Sequence, residues 1–381
     1  MRPFIFLALL ASLSLHASQK ISTLRVPEGG IQPQTVVDEK GAIHMIYFKG
    51  DAGSGDLYYV KSDDGAKFST PLKVNSNPDD AIAIGNVRGA HLALGKGDRV
   101  HVAWMGSGKA PKGVNDMAPM MYTRLDDSGT KFEPERNVMT FATGLDGGGT
   151  VAADNAGNVY VIWHGDAGAR KGETARQVWV AKSSDDGKTF AKEIPALKQA
   201  TGACACCGVS AHVNAKGELY VLFRTAMGMG KMPDTRDMFL IVSKDKGATF
   251  SGADLHAWKL NQCAMSTSQL VESATGVLGA WETRGQIYFT KIAAGGQPAP
   301  PIEAPGTAGK RKHPAIAANA AGETVLAWTD GMAWQKGGTV EWQLYEKSGK
   351  LAEEKGKADG VPANSVIAAF AKPDGSFVIV Y

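Results

Sequence analysis

Short stretches in which apolar residues alternate with small or polar ones recur along the whole chain. Each recurring unit begins with a glycine, continues through β-branched and aromatic residues, and ends on a large aromatic side chain. The seven copies occupy residues 41–47, 97–104, 157–163, 217–223, 276–281, 322–328 and 375–381. Their closing aromatics are 57, 59, 60, 58, 47 and 53 residues apart. So regular a period indicates a repeat architecture in which one supersecondary unit is used many times.

Each copy is predicted to be the second strand of a β-hairpin. A first strand of small or apolar residues precedes it, as at residues 150–153, and a polar turn such as residues 154–157 (Asp-Asn-Ala-Gly) joins the two. Asn, Asp and Gly suit such turns because they tolerate positive φ. A third strand follows, as at residues 57–60, and a less distinct fourth strand completes the unit.

These units predict an all-β propeller of four-stranded antiparallel blades. A single sheet of this kind exposes two apolar faces, so the blades must stack face to face around a ring. The chain ends on the second strand of its seventh copy, and residues 21–26 can supply an outer strand for that blade. The repeat count therefore favours seven blades, in one domain spanning residues 18–381.

The first 17 residues have the pattern of a cleavable signal peptide. Arg2 supplies a positive start, residues 4–15 are almost entirely apolar, and the small residues Ala17 and Ser18 follow. An apolar run of this length is too short to span a bilayer. We therefore expect a periplasmic or secreted protein, monomeric and not inserted in a membrane. Its net charge of +3, from 41 basic and 38 acidic residues, gives no electrostatic reason to expect nucleic-acid binding.

A second phrase recurs after the third strand of several units. Residues 183–190 and 243–250 both read Ser-x-Asp-x-Gly-x-Thr-Phe, and residues 61–68 and 125–132 keep the Asp, the Gly and the aromatic. In such a turn the carboxylate accepts hydrogen bonds from main-chain amides, and the glycine permits a left-handed bend. We therefore interpret four aspartates as structural and not catalytic: Asp63, Asp127, Asp185 and Asp245.

The repeated turn is the Asp box, and the chain resembles the sialidase-like superfamily, also called BNR-repeat proteins. It is more closely similar to a group of exported bacterial proteins within that superfamily. The features shared with that group are residues 47–51, 87–89, 102–104, 204–207 and 236–238, with Trp258 and Cys263. The resemblance covers almost all of the chain after residue 17. It implies a sialidase-like propeller, whose usual form has six blades, and a ligand site at the axial funnel.

The order of strands within a blade locates the candidate ligand-binding residues. Asp-box turns lie on one rim of the ring, while the loops between second and third strands and the connections between blades lie on the other. Ligands of sialidase-like propellers bind on that second rim. The candidates there are Asp51, His164, Asp166, Arg284, His313 and Asp330. Converging charges suit a glycan or another small anionic ligand, and a protein partner is a further option.

The resemblance also raises the alternative of an exo-α-sialidase. That chemistry needs three arginines on the substrate carboxylate, a tyrosine nucleophile supported by a glutamate, and an aspartic acid. The residues that fit these roles are Arg88, Arg224, Arg236, Asp146 and Glu282. No tyrosine in the sequence has the context of a nucleophile, because Tyr47, Tyr122, Tyr220 and Tyr288 all fit strand cores. The sequence therefore favours a noncatalytic binding protein over the enzyme.

The cysteines are the most distinctive chemical feature of the chain. Cys204, Cys206 and Cys207 precede the fourth repeat and Cys263 precedes the fifth, so they should meet on the ligand-binding rim. In an exported protein disulfides are the first expectation, most simply one bond between Cys263 and the triplet. A soft-metal site for copper(I) or zinc is an alternative, as is a redox role for the vicinal pair. No other cofactor is expected.

Overall fold

The structure, a computed structural model, describes residues 20–166, 172–228 and 233–381. The predicted signal peptide, residues 1–17, lies outside the described residues. The helical structure in these ranges is limited to four short 3-10 helices, at Pro27–Gly29, Lys96–Asp98, Val114–Asp116 and Glu173–Ala175. Within the same ranges no helix is both long and apolar enough to cross a membrane.

The strands form seven sheets, which are numbered here as blades in chain order. After β1 (Ile21–Leu24), blade 1 comprises β2 (Ile31–Val37), β3 (Ile43–Asp51), β4 (Ser54–Ser62) and β5 (Leu72–Lys73). Blade 2 comprises β6 (His91–Leu94), β7 (Val100–Met105), β8 (Met120–Arg124) and β9 (Arg136–Asn137). Blade 3 comprises β10 (Gly149–Ala153), β11 (Val159–Gly165), β12 (Gln177–Ser183) and β13 (Ile194–Pro195).

The remaining blades follow the same order. Blade 4 comprises β14 (Ser210–Val213), β15 (Leu219–Arg224), β16 (Met238–Ser243) and β17 (Ser251–His256). Blade 5 comprises β18 (Ser268–Ser273), β19 (Gly276–Thr283) and β20 (Gln286–Ala293), with β21 (Gln297–Pro298) and β22 (Ile302–Glu303) both paired to β20. Blade 6 comprises β23 (Arg311–Ala318), β24 (Thr324–Asp330), β25 (Gly338–Tyr345) and β26 (Leu351–Val361). Blade 7 contains β27 (Ala368–Ala371) and β28 (Phe377–Val380).

The N-terminal strand closes the ring. As predicted, residues from the start of the described chain complete blade 7: β1 pairs with β28, in parallel, from Ile21 opposite Phe377 to Leu24 opposite Val380. The sheet order over the described residues confirms the seven blades favoured by the repeat count. The six blades implied by the family resemblance are wrong for this chain, because each of the seven repeats builds a sheet of its own.

The repeated aromatic at the end of each second strand explains why the sheets stack. Trp104 on β7 is buried among Phe48 and Leu57 of blade 1, and Trp163 on β11 is buried among Met105 and Met120 of blade 2. All seven of these aromatics are at most 7% exposed, and each lies in the apolar cluster between its own blade and the preceding one. The apolar faces therefore bury one another around the whole ring, which is the main source of stability in such a fold.

Two rims follow from this strand order. The lower rim carries the turns between first and second strands and the loops between third and fourth strands. The upper rim carries the loops between second and third strands and the connections between blades. On the lower rim of blade 3, Asp154 Oδ1 accepts hydrogen bonds from the amides of Ala156 and Asn158, and Gly157 takes a φ of 87°. This turn has the chemistry that the sequence predicts.

The loops predicted to be Asp boxes lie on the lower rim, and in two of the four the carboxylate that accepts the turn amides is one residue away from the predicted one. Asp185 and Asp245 each accept hydrogen bonds from the amide and hydroxyl of a threonine four residues later. In the other two loops these bonds go to Asp64, which binds the amides of Ala66 and Lys67, and to Asp126, which binds the amide of Thr130. The corrected residues replace Asp63 and Asp127. Asp127 instead pairs with Arg99 at 2.6 Å.

Candidate functional site at the mouth of the axial channel

A cavity of about 900 Å³ runs along the propeller axis. The innermost strands of all seven blades line it, from lower-rim turns such as residues 154–156 to upper-rim residues such as Asn86 and Thr267. Its wall combines small apolar side chains, such as Ala93 and Ala152, with polar ones such as Thr150, Ser210 and Gln269. A concave opening with a few converging polar groups is the usual form of a ligand site, and the ends of the channel offer such openings.

At the upper mouth of the channel, several residues have left-handed backbone conformations. A residue with positive φ lies just before or at the start of the innermost strand in six blades. These residues are Gln32 (54°), Asn86 (64°), Gly148 (77°), Met265 (46°), His313 (48°) and Asn364 (58°). In blade 4 the cysteine triplet takes this place in the chain. Left-handed backbone in non-glycine residues is concentrated at functional sites, so the upper mouth is the first place to look for one.

An exposed tryptophan flanks this mouth. Trp334, in the loop between β24 and β25, is 54% exposed. The Trp334 loop reaches the connection between blades 1 and 2. A Cβ atom on Gly85 would lie 2.9 Å from the Trp334 ring and 2.7 Å from Arg88 Nη1. The glycine therefore lets an aromatic ring and a guanidinium approach the same point.

Arg88 and Asp146 form an ion pair at the mouth. Arg88 Nη2 lies 2.5 Å from Asp146 Oδ1, and Arg88 Nη1 donates to the carbonyl of Ile84 at 2.9 Å. The Asp146 side chain is 42% exposed and that of Arg88 is 15% exposed. These two residues, which the sequence assigns to one site from different blades, are brought together. The pair offers solvent both a donor fork and an acceptor.

All four cysteines are in disulfides, next to this pair. The predicted bond between Cys263 and the triplet is Cys206–Cys263, and a second bond joins Cys204 to Cys207. We call these four residues the cysteine knuckle. A Cβ atom on Gly147 would lie 2.3 Å from the carbonyl oxygen of Cys207, so the knuckle packs directly on the segment that carries Asp146.

Three neighbouring segments hold the knuckle in place. Glu173 Oε1 accepts a hydrogen bond from the amide of Ala205 at 2.7 Å, and the carbonyl of Arg224 accepts one from the amide of Cys204 at 2.9 Å. Gly208 donates its amide to the carbonyl of Ser266 at 2.9 Å. Blades 3, 4 and 5 therefore fix a segment that has no regular secondary structure.

Arg224, Arg236 and Glu282 lie beneath the knuckle and are almost entirely buried. Arg224 donates to the carbonyls of Arg236 and Glu282 and lies 4.7 Å over the Trp258 ring. Arg236 Nη2 donates to Glu173 Oε2 at 2.7 Å. Burial lowers the pKa of Arg224 to about 10, so it stays charged at neutral pH. The three predicted arginines are therefore each engaged by groups of the protein itself.

The two histidines predicted for the rim are buried and neutral. His164 is hydrogen-bonded to the carbonyl of Cys207 at 2.9 Å and to Arg176 at 3.1 Å. Burial, reinforced by the charge of Arg176, lowers the pKa of His164 to about 3. Burial and the charge of Lys312 lower the pKa of His313 to about 3 as well. Neither side chain carries the positive charge that would attract an anion at neutral pH.

The other predicted rim residues are spread around the upper rim. Asp51 is exposed at the end of β3 and accepts the amide of Gly53 at 2.8 Å. Asp166 lies 3.8 Å from Arg176, beside the buried histidine. Arg284 is exposed in the hairpin between β19 and β20, and Asp330 ends β24.

Comparison with known proteins shows which solved structures share this fold. No family model matches the sequence, and no curated protein matches it. A protein of unknown function from Dyadobacter fermentans is 17% identical, with a TM-score of 0.52 over 82% of this chain and 94% of its own. A Hadza microbial sialidase is 14% identical, with a TM-score of 0.52 over 83% of this chain and 68% of its own. The chain has the sialidase-like propeller fold. An α-L-arabinanase from Penicillium chrysogenum, solved with arabinobiose, shares it at 12% identity, with a TM-score of 0.51 over 82% of this chain and 92% of its own.

Sequence reasoning misses two residues of this sialidase-like propeller. Trp334 comes six residues after the closing aromatic Trp328, inside a loop assigned to the upper rim, and a search of those loops for aromatics would find it. Glu173 lies in the loop between β11 and β12, and nothing in the sequence links it to Arg236 and Ala205. Its role depends on contacts between neighbouring blades.

Proposed function

We propose that this propeller binds a carbohydrate, or another small anionic ligand, at the upper mouth of its channel and does so without catalysis. The observation that carries the proposal is the exposed Trp334 ring beside the Arg88–Asp146 pair. The apolar face of a sugar ring packs on an exposed aromatic. The ion pair supplies donors and an acceptor for hydroxyl or carboxylate groups at the edge of such a ring.

Two proteins of similar fold support a glycan as the ligand class, since one is a sialidase and the other an arabinanase solved with arabinobiose. A location outside the cytoplasm is part of the same proposal. It is supported by the two disulfides, because such bonds persist in oxidising compartments.

The noncatalytic part of the proposal is supported by where the candidate catalytic groups lie. Arg224 and Arg236 are 2% and 0% exposed, and their bonds go to main-chain carbonyls and to Glu173. A Tyr–Glu hydrogen bond does exist, between Tyr220 and Glu218 at 2.7 Å. It lies on the lower rim, across the blade from the arginines, so it cannot act on a substrate that the arginines hold.

Calorimetric titration with 3′-sialyllactose and with arabinobiose tests the proposal. We expect Trp334→Ala to weaken binding of whichever sugar the native protein binds by at least tenfold, because stacking on one aromatic contributes on the order of 1–3 kcal/mol. Phe141→Ala is the matched control, since Phe141 is also 42% exposed but packs against Trp179.

Two outcomes would contradict this function. Equal affinities of the Trp334 and Phe141 variants would remove the tryptophan from the site. Turnover of a fluorogenic sialoside by the native protein, abolished in Arg88→Ala, would instead favour the exo-α-sialidase alternative.

A further inference from the structure

We infer that the cysteine knuckle is a thiol-capture site, in which one disulfide exchanges with an external thiol and the other traps the product. The two disulfides differ in exposure. Cys263 is exposed and Cys206 is half-buried, whereas Cys204 and Cys207 are 1% and 2% exposed. An external thiolate can therefore reach the Cys206–Cys263 bond and not the bond behind it.

The two bonds are close enough to exchange with each other. Cys206 Sγ lies 3.7 Å from Cys204 Sγ, so the two sulfurs are in van der Waals contact. Three of the four sulfurs lie within 4.8 Å of one another. A thiolate released at Cys206 would thus have a disulfide sulfur as its immediate neighbour.

The two disulfides also differ in the number of residues that they enclose, and this difference suits one to a structural role and the other to a chemical role. Cys206–Cys263 spans 57 residues and ties the entrance of blade 4 to that of blade 5. Cys204–Cys207 spans only three residues, and a loop this short restricts the unfolded chain far less. Its Cys-x-x-Cys spacing is the one found in disulfide-exchange motifs. The buried Cys204–Cys207 bond therefore adds little to the stability of the fold, and disulfide exchange would explain why it is present.

The proposed reaction balances without an added oxidant. An external thiolate attacks Cys263 Sγ, forms a mixed disulfide there, and displaces Cys206 as a thiolate. Cys206 then attacks Cys204 Sγ, which forms a Cys204–Cys206 bond and displaces Cys207 as a thiolate. The proton of the external thiol ends on Cys207. If the partner carries a second thiol, it attacks the mixed disulfide, and the partner leaves as a disulfide while Cys263 becomes a thiol.

The internal step is what distinguishes capture from ordinary reduction. Without it, Cys206 would attack the mixed disulfide again and expel the bound thiol. With it, Cys206 is consumed and the external thiol stays on Cys263. The hydrogen bonds of the triplet's backbone to Glu173 and Ser266 hold the two sulfurs adjacent for both steps.

Incubation of the purified, oxidised protein with glutathione, followed by peptide mapping, tests this inference. After acid quenching and alkylation, we expect glutathione on Cys263, a Cys204–Cys206 link and an alkylated Cys207. In the double variant C204S/C207S the Cys206–Cys263 bond remains but the trap is gone, so the adduct should fall at least tenfold. Circular dichroism checks that this variant is folded.

A second variant needs no external thiol. In Cys207→Ala the free Cys204 lies beside Cys206 and should attack it, so that Cys263 becomes titratable by iodoacetamide in the folded protein. Full protection of Cys263 in that variant would overturn the inference. So would an equal glutathione adduct in the native protein and C204S/C207S, or a purified protein whose cysteines hold copper(I) or zinc in place of disulfides.

Discussion

Asp80 shows how strongly the interior of a blade interface alters a single side chain. It has no exposed surface, and its Oδ1 accepts the indole N–H of Trp104 at 3.2 Å. Burial, together with the neighbouring charge of Glu135, raises the pKa of Asp80 to about 8 from an ordinary value of 3.8. The carboxyl is therefore protonated in the folded protein at neutral pH, although it would ionise in the unfolded chain.

This shift makes stability depend on pH in a defined direction. The contribution of protonated Asp80 is fully present below about pH 3.8 and is lost as the pH rises through about 8, because only the unfolded chain releases the proton in that window. Asp80→Asn keeps an acceptor for Trp104 and cannot ionise. We expect it to raise the free energy of unfolding at both pH 5 and pH 8.5, and by roughly 1–3 kcal/mol more at pH 8.5, because the native protein loses stability throughout that window.

Denaturant unfolding at the two pH values measures the difference. The exposed Asp116→Asn serves as the control, and its effect should be the same at both. An Asp80→Asn effect that does not change with pH would mean that the native carboxyl is already ionised at pH 5.

For single side chains, the sequence predicts where the charges lie but not which groups they contact. It places Arg224 on the upper rim, where the residue does lie, but the same position gives it main-chain carbonyls and Trp258 as neighbours. Arg88 and Asp146 meet as expected because both precede innermost strands of adjacent blades. The difference lies in packing between blades, which a strand pattern does not specify.

Among the elements, the connections between blades are held by a repeated carboxylate. Glu193, just before β13, accepts the amides of Thr140, Phe141 and Ala142 in the connection from blade 2 to blade 3. Glu135, just before β9, accepts the amides of Ser76 and Asn77 in the preceding connection. An outer strand thus fixes the chain that enters its own blade.

Removing this carboxylate should be costly. We expect Glu193→Ala to lower the free energy of unfolding by about 1–3 kcal/mol, because three amides, of which that of Ala142 is buried, lose a charged acceptor. Glu193→Gln keeps one acceptor oxygen and should lose less. Thermal and urea unfolding measure both, against exposed Glu353→Ala as a control near zero. A loss no greater than that of the control would show that water satisfies these amides.

The strands themselves are the part of the fold that sequence predicts best. The closing aromatics and their preceding glycines place the second strand of every blade, because each aromatic has a fixed partner face in the neighbouring sheet. The loops predicted to be Asp boxes are predicted less accurately. The serine that accepts the glycine amide is three residues before that glycine at residues 62–65 but four residues before it at residues 183–187. This shorter spacing makes Asp64, and not Asp63, the carboxylate that accepts the turn amides. A pattern with one fixed spacing cannot register such a deletion.

The ring closes where β1 meets blades 6 and 7, and the contacts at this junction can be tested by mutation. Arg25 follows β1 and donates to the carbonyls of Asp359 and Gly360 at the end of β26, at 2.8 and 2.5 Å. Its guanidinium lies 4.1 Å over the ring of Tyr381. One side chain therefore ties the first strand of the chain to both blade 6 and blade 7.

Glu354 accepts the amides of Lys20 and Ile21 at the start of β1, whereas the Arg25 fork holds its other end, so loss of the fork should loosen the closure there. We expect Arg25→Ala to lower the free energy of unfolding by about 1–2 kcal/mol and to speed hydrogen exchange at Leu24 and Tyr381, whose main chains pair. Arg25→Lys keeps the charge but not the fork and should recover less than half of the loss. Lys20→Ala, which breaks only an exposed pair with Glu323, is the control and should cost at most about 0.5 kcal/mol. If exchange at Leu24 and Tyr381 is unchanged in Arg25→Ala, the ring is closed by the parallel pairing of β1 and β28 alone, because that register would then hold without the side chain that bridges the two blades.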